Sequence, residues 1–292
     1  MTKFIKKLLL YGGLLFVLLN LLALASFWSL RESEFYKPSF ALQHTDVDLD
    51  YVVLGSSTGL TTLDTKLIDS LTSWEGLNLS MDDTALPTHH LMLKHFLDNG
   101  GQTKTCVLAI TPWDVSNHIP NIGNNDHRFL PFVGKDYVQE HFEEISTTSW
   151  TPERVSQFIP LYGLGYFNSE LFYPSLIAFT KPKYRNRFDN KGNYVYPMLG
   201  KSVEVQTPRR SDYQLNNPYL EKIRLLCMEN GIELILYQSP MLNQYQTTPE
   251  TYRLINHSEL LNQQTDLFYD EIHVNKKGRR RATEEFVKAM KR

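Results

Sequence analysis

The most prominent feature of the hydrophobic pattern is a long apolar run near the N-terminus. Leu8–Leu30 contains no charged residue, and a helix of that length reaches roughly 34 Å, enough to cross a hydrocarbon core of about 30 Å. Lys3, Lys6 and Lys7 precede the run, and positive charge stays on the cytoplasmic side. The pattern predicts that residues 1–30 form a cytoplasmic tail and single-pass anchor in the cytoplasmic membrane, with the N-terminus inside and the C-terminal domain extracytoplasmic.

A cleaved signal peptide is the alternative that this run leaves open. Ala23-Leu24-Ala25 has the small-x-small form of a processing site. The apolar region of a signal peptide is about 7–15 residues long, which is shorter than this run. An uncleaved anchor is therefore the preferred interpretation, and both interpretations export the bulk of the chain.

Beyond a polar linker at residues 31–49, residues 50–292 alternate short apolar runs with helix-like segments. Short continuous apolar runs are typical of strands buried in a parallel sheet. The predicted strands are Asp50–Gly55, Gly76–Ser80, Thr105–Thr111, Ile232–Tyr237 and Asp266–Tyr269, and the predicted helices are Asp64–Leu71, Leu86–Asn99, Leu220–Asn230 and Lys277–Met290. The alternation predicts an α/β fold with a doubly wound parallel sheet covered on both faces.

An insertion at residues 116–217 interrupts this alternation. It is rich in aromatic residues and prolines and is too long for a simple connection, so we expect it to form a lid or cap. A basic run within it is interpreted as a solvated face, with contact to anionic lipid or polymer as the alternative; the run consists of Lys181, Lys183, Arg185 and Arg187, with Lys191.

Composition and charge narrow the class of protein. The net charge of −2 argues against a nucleic-acid partner. Two cysteines, Cys106 and Cys227, exclude a disulfide scaffold and fit no zinc pattern. Because one lies in a predicted strand and the other on a predicted helix, we expect two buried free thiols. Nucleotide-binding glycine motifs are absent from the sequence, and the histidines have no metal-ligand spacing, so we predict neither cofactor nor metal.

Two polar blocks follow predicted strands. The first strand ends in Gly55-Ser56-Ser57, and the last is followed by Asp270-Glu271-Ile272-His273. Ligands bind at the carboxyl ends of strands in doubly wound sheets. A serine nucleophile needs a base, and the base needs a carboxylate that fixes its tautomer. The alternatives are a helix N-cap for Ser57, and a surface loop pair or half a metal site for the Asp and His.

These blocks resemble those of the SGNH or GDSL-type hydrolase superfamily. In that family the nucleophile is the Ser of Gly-x-Ser after the first strand, and the base belongs to a late Asp-x-x-His block. The resemblance covers roughly residues 50–115 and 220–290 and implies a flavodoxin-like three-layer fold. Carried over by position, it makes Ser57 the nucleophile, Asp270 the orienting acid and His273 the general base.

The middle blocks depart from the family pattern. The chain has Asn78-Leu79-Ser80-Met81 without the expected oxyanion-hole glycine, and Thr111-Pro112-Trp113-Asp114 in place of Gly-x-Asn-Asp. The backbone N–H of Ser57 remains as an oxyanion donor, with Asn78, Asn117 or the backbone of residues 82–84 as further candidates. Loss of one donor costs on the order of 100- to 1000-fold in rate.

The anchor together with these blocks resembles membrane-anchored SGNH-like proteins of bacterial surface-polymer pathways. That resemblance implies a serine acyltransferase or esterase acting on acyl groups of a cell-surface glycan. It also implies a membrane-embedded acyl-donor protein as a partner. The alternative, favoured by the missing oxyanion donors, is a catalytically inactive SGNH-like binding or assembly subunit of a membrane polysaccharide-modification complex.

Overall fold

The computed structural model describes residues 1–116, 123, 125–146, 148–183, 188–197, 210–247, 251–261 and 264–291. Asn117, Arg185 and Arg187, singled out above, lie outside these residues. The chain divides into two compact units, one formed by Met1–Phe40 and Asp126–Tyr184, the other by Ala41–Asn125 and Arg185–Arg292. We refer to them as the anchor unit and the sheet unit.

Most of the secondary-structure elements in the described residues are helices. The α-helices are α1 (Thr2–Arg31), α2 (Lys37–Leu42), α3 (Ser57–Thr62), α4 (Thr65–Thr72), α5 (Leu86–Leu97), α6 (Pro112–Val115), α7 (Asp136–Ile145), α8 (Pro152–Val155), α9 (Pro160–Tyr166), α10 (Tyr173–Thr180), α11 (Pro218–Glu229) and α12 (Lys276–Met290). The 3₁₀-helices are Asp126–Phe132 and Thr265–Leu267, and Asn168–Phe172 is a short π-helix. The strands are β1 (Asp48–Gly55), β2 (Gly76–Asn78), β3 (Gln102–Ile110), β4 (Arg210–Asp212), β5 (Glu233–Gln238), β6 (Gln244–Gln246) and β7 (Arg253–Asn256).

The sheet unit contains a five-stranded parallel sheet in the order β2-β1-β3-β5-β7. The predicted α/β class with a parallel sheet is confirmed. Gly55 of β1 is paired with Ala109 of β3, which is paired with Tyr237 of β5. Chain order reverses between β1 and β3, so the carboxyl ends of these two strands border the position where such sheets bind ligands.

Successive side chains of a strand point to opposite faces of the sheet, and helices cover both of these faces. One face packs into a core with α4 and α12, formed by Tyr51, Val53, Leu63, Ile68, Val107, Ala109, Ile235, Tyr237, Ile255, Phe286 and Val287. On the other face, the Cys106 thiol lies within hydrogen-bonding distance of Cys227 on α11. Both thiols are buried and free, as predicted.

The fifth strand is where the sequence prediction was wrong. Residues 266–269 contribute to a 3₁₀-helix and a loop, and the buried Phe268 packs in a small cluster with Leu242, Leu261 and Val274. The strand at the sheet edge is β7 instead. Edge position explains why it was missed, since Ile255 is its one buried residue and polar residues stand at both its ends.

The anchor unit is built around α1, which is long and apolar enough to cross a membrane. The described part of residues 126–183, within the predicted insertion, packs in this unit, whereas residues 188–197 and 210–217 belong to the sheet unit. The predicted linker at residues 31–49 contains α2 and buries Phe40 completely.

Candidate active site

Two glycines place Ser57 at the carboxyl edge of the sheet. Gly55 has φ +151°, and a Cβ there would lie 2.8 Å from the carbonyl oxygen of Ala109. A Cβ on Gly59 would lie 2.6 Å from the hydroxyl of Ser80. Only glycine fits this close approach, so α3 begins directly against the sheet with Ser57 as its first residue.

The second polar block forms a tight turn beyond the sheet. Phe268 and Val274 form an antiparallel bridge, and the Tyr269 N–H donates to the carbonyl of His273 at 2.8 Å. Within this turn the Asp270 carboxylate accepts hydrogen bonds from the N–H groups of Ile272 (2.9 Å) and His273 (2.8 Å). The spacing of three residues therefore folds the carboxylate back towards the imidazole, as the sequence predicted.

Asn275 joins this turn to the helix that follows it. Its Oδ1 accepts from the N–H groups of Lys277 and Gly278 at the start of α12, at 3.0 and 3.2 Å. Its Nδ2 donates to the carbonyls of Asp266 (2.7 Å) and Phe268 (3.2 Å). One side chain thus caps α12 and fixes the loop that carries His273.

The three residues predicted as a triad lie in hydrogen-bond contact. The His273 Nε2 is 2.7 Å from Ser57 Oγ, and its Nδ1 is 2.8 Å from Asp270 Oδ2 and 3.0 Å from Oδ1. An ionised carboxylate only accepts hydrogen bonds, so Nδ1 carries the proton and the Nε2 lone pair faces the serine hydroxyl. This geometry suits removal of the serine proton during nucleophilic attack.

Hydrogen bonding keeps the orienting carboxylate ionised. Burial alone would raise the pKa of Asp270, but hydrogen bonds from the His273 ring and from the Ile272 N–H outweigh it and lower the pKa below its usual range. His273 is 8% exposed and the Asp270 side chain 44% exposed. The base is therefore shielded while its carboxylate remains partly hydrated.

Asn78, predicted as an oxyanion or substrate residue, lies elsewhere in the network. It is fully buried, its Oδ1 accepts from the Ser80 N–H at 3.0 Å, and its Nδ2 donates to the Gly59 carbonyl at 2.9 Å. The amide therefore fastens β2 to α3 and is not directed at a ligand. Asn117 lies outside the described residues.

Two backbone stretches remain as candidates for oxyanion donors. Ser57 is the first residue of α3, where an N–H has no intrahelical acceptor. The turn after β2 also runs past the site, since the Met81 N–H donates to the Gly55 carbonyl at 3.0 Å and Asp83 has φ +52°. Within the described ranges, no group of three or more His, Cys, Asp or Glu side chains forms a metal-binding cluster.

Sequence analysis missed a tyrosine cluster that packs on the histidine. The Tyr196 ring centroid lies 5.0 Å from that of His273 and 4.3 Å from that of Tyr269, with Tyr196 and Tyr269 stacked. Burial, and then the charge of Asp270, raises the pKa of Tyr196 to about 12, so the phenol stays neutral. The sequence around Tyr196 has no periodic pattern, and its bridge to Asn275 helps to bring it to the site in the folded chain.

The site thus combines a serine, a correctly oriented imidazole, an ionised carboxylate and an aromatic wall. Such an arrangement forms and breaks esters through a covalent serine intermediate. Comparison of the chain with protein-family models, curated proteins and solved structures finds no match.

Proposed function

We propose that this chain is a membrane-anchored serine acyltransferase or esterase of the SGNH-like type, acting on acyl groups of a cell-surface glycan. The observation that carries the proposal is the continuous chain of hydrogen bonds from Asp270 through His273 to Ser57. An ordinary helix cap would not require an imidazole on the serine hydroxyl.

The residues act in two half-reactions. Ser57 Oγ attacks the acyl carbonyl carbon while His273 Nε2 takes the hydroxyl proton, and the same proton then passes to the departing oxygen. This leaves an acyl ester on Ser57. A glycan hydroxyl or a water then attacks the ester, gives its proton to Nε2, and releases Ser57 as its hydroxyl.

The cellular setting of the proposal comes from α1. Its length and composition support a single-pass anchor, and Lys3, Lys6 and Lys7 support a cytoplasmic N-terminus. The sheet unit then lies outside the cytoplasmic membrane, where surface glycans are modified. An activated acyl group must reach that side, which supports a membrane-embedded acyl-donor protein as partner.

A fluorophosphonate probe tests the chemistry directly, because it phosphonylates only a serine that is activated as a nucleophile. We expect labelling of the full-length wild-type protein and its loss in Ser57→Ala. Ser56→Ala is the matched control: Ser56 is the neighbouring residue, its side chain makes no capping hydrogen bond, and labelling should persist. Equal labelling of wild type and Ser57→Ala would contradict the proposal.

The second candidate function is a catalytically inactive binding or assembly subunit. It is favoured by the commitment of the Asn78 amide to backbone groups, which leaves backbone N–H groups as the oxyanion donors assigned here. Absence of labelling in folded wild-type protein would support this candidate.

A further inference from the structure

The burial pattern of α1 changes halfway along its length. Side chains from Thr2 to Leu18 are exposed on all sides, whereas Ala23, Phe27 and Leu30 are buried on one face. The fully exposed apolar part, 8–18, is roughly 17 Å long, only about half of a hydrocarbon core. If α1 spans a bilayer, as proposed above, the half of α1 that carries packed neighbours must also lie within the hydrocarbon.

Most of those neighbours come from residues 158–180, which we call the hairpin segment, and others come from the 3₁₀-helix at Asp126–Phe132. The Leu161 N–H donates to Asn20 Oδ1 at 3.2 Å, and Ser29 Oγ lies 3.0 Å from the Ser175 carbonyl oxygen. Asn20 lies about 16 Å of helix rise below Arg31. The segment therefore reaches deep into the outer half of the span at Leu161 and returns towards the end of α1 by Ser175.

The hydrogen bond at the deep end meets a requirement of lipid surroundings. Leu161 follows Pro160 at the start of α9, where a backbone N–H has no intrahelical acceptor. In hydrocarbon such a group needs a partner from a neighbouring element. Asn20 is the only amide side chain between Leu8 and Leu30, and it supplies that partner.

The inner face of the hairpin segment is apolar, and its outer face is mainly apolar, with exposed polar residues at Asn168, Ser169 and Glu170. Leu164, Leu171 and Ala178 are buried, and a Cβ on Gly163 would lie 2.1 Å from Ser156 Oγ, so α9 packs closely within the anchor unit. The outer face exposes large apolar side chains, namely Phe158, Tyr162, Tyr166, Tyr173, Leu176 and Phe179. A helix that is apolar all round is typical of membrane surroundings.

Charge is sparse along the segment and concentrated after it. Glu170 is the single charged residue between Phe158 and Thr180, and Lys181 and Lys183 follow immediately. The Pro182 carbonyl between these lysines accepts from the Glu34 N–H at 3.0 Å, three residues beyond the end of α1. The lysines therefore lie at headgroup level, where cations attract anionic lipid.

We propose that the hairpin segment is a re-entrant membrane element, inserted beside α1 in the outer half of the bilayer with its aromatic face in contact with lipid acyl chains. This inference rests on the proposed anchoring by α1 and is independent of the serine chemistry. It adds a second element within the hydrocarbon to a chain whose sequence predicts only one membrane-embedded segment.

Site-directed spin labelling of the full-length protein tests the proposal in vesicles of phosphatidylcholine and phosphatidylglycerol. Single cysteines replace Phe158, Tyr166 and Phe179, with Leu14 on the exposed half of α1 as the lipid reference and Glu143 on α7 as the water reference. The native cysteines are at most 1% exposed, and unmodified protein controls for their labelling. Collisions with lipid-soluble oxygen and with a water-soluble nickel chelate are measured at each position.

We expect the three hairpin positions to resemble Leu14, with nickel collision rates several-fold below that at Glu143. If Leu14 is shielded while the hairpin positions resemble Glu143, the re-entrant element is overturned and the anchor stands. If the label at Leu14 also collides frequently with the nickel chelate, α1 does not span the bilayer, and the inference is overturned together with the proposed anchor. Shielding that requires an added membrane protein would replace lipid by a protein partner and also overturn the proposal.

A substitution at the deep end gives a second measurement. Asn20→Leu keeps α1 apolar but removes the acceptor for the Leu161 N–H, so a label at Tyr162 should move outwards and collide more often with nickel. Leu21→Ala, at an exposed neighbouring position, is the matched control and should leave that label unchanged. Equal nickel collision rates in Asn20→Leu and Leu21→Ala would contradict the anchoring role of Asn20.

Discussion

At the scale of single residues, the imidazole of His273 depends on partners from three separate parts of the chain. Asp270 holds its Nδ1, Ser57 meets its Nε2, and Tyr196 packs against the ring. The first contact is local in sequence, whereas the other two depend on the fold. Residues coupled in this way act as a unit, so their removal should not be additive.

We therefore predict that Ser57→Ala and His273→Ala each abolish acyl transfer, by on the order of 10⁶-fold in kcat, and that the double variant loses little more. Asp270→Asn should lose on the order of 10⁴-fold, because the base survives with its tautomer disturbed. Turnover of an aryl acetate by purified full-length protein measures all four variants. Additive losses in the double variant would show that the residues do not act together.

A buried histidine on α5, His89, makes stability depend on pH. His89 is 3% exposed and its Nε2 is 3.2 Å from Thr84 Oγ1, which donates to the Met81 carbonyl at 2.6 Å. The threonine hydroxyl must then accept from Nε2–H, so the ring is neutral with its proton on Nε2. Burial lowers the pKa of His89 to about 3.

Because the unfolded chain binds a proton near pH 6.5 and the folded chain does so only near pH 3, the free energy of unfolding should fall as pH decreases through this window. The contribution of His89 is on the order of 5 kcal/mol over the full window. His257, with its pKa lowered to about 4 by burial, acts in the same direction. Urea unfolding at pH 7, 5.5 and 4.5 should show a shallower pH dependence in His89→Gln, and an unchanged slope would refute the assignment.

At the scale of elements, the turn that carries His273 is packed against the first residues of α12. A Cβ on Gly278 would lie 2.2 Å from the carbonyl oxygen of Leu267, and backbone cannot move aside as a flexible side chain can. Asn275 caps the same helix end while holding Asp266 and Phe268. The base is therefore positioned by helix packing as well as by its own hydrogen bonds.

Gly278→Ala should accordingly push α12 away from the turn. We expect the free energy of unfolding to fall by about 1–3 kcal/mol, and Tm to fall by about 2–4 °C for each kcal/mol. Fluorophosphonate labelling of Ser57 should also decrease. Gly134→Ala is the matched control, since a Cβ there meets no atom within 4 Å. Thermal unfolding of the two variants side by side provides the comparison, and equal Tm values would contradict the packing argument.

At the scale of the whole molecule, the sequence predicted those features that depend on local pattern. The strands β1, β3 and β5 each contain a continuous apolar run, and the Asp-x-x-His turn is closed by its own hydrogen bonds. The edge strand β7 was missed because an edge position buries few side chains, and Phe268 was misassigned because a small side cluster buries it outside the sheet.

Such local patterns could not predict contacts between distant parts of the chain. The rings of Tyr196 and His273 are brought together by the fold, and the pairing of Leu161 with Asn20 joins residues 141 positions apart. Asn78, the last residue of β2, was expected near the oxyanion because the block around it resembles the SGNH pattern, but its burial and backbone bonds appear only in the folded chain. Position along a strand indicates which edge a residue occupies, not what its side chain binds.

The separation of Ser57 from His273 by 216 residues has a consequence during synthesis of the protein on the ribosome. Translation at about 5–20 residues per second makes the serine roughly 10–40 s before the histidine. A nascent chain that is arrested in that interval contains the Ser57 hydroxyl but lacks the His273 imidazole that would activate it. On the proposed function, reaction with an ester therefore begins only after the loop that carries His273 has been synthesised and fixed against α12, and an unfinished chain does not react with esters.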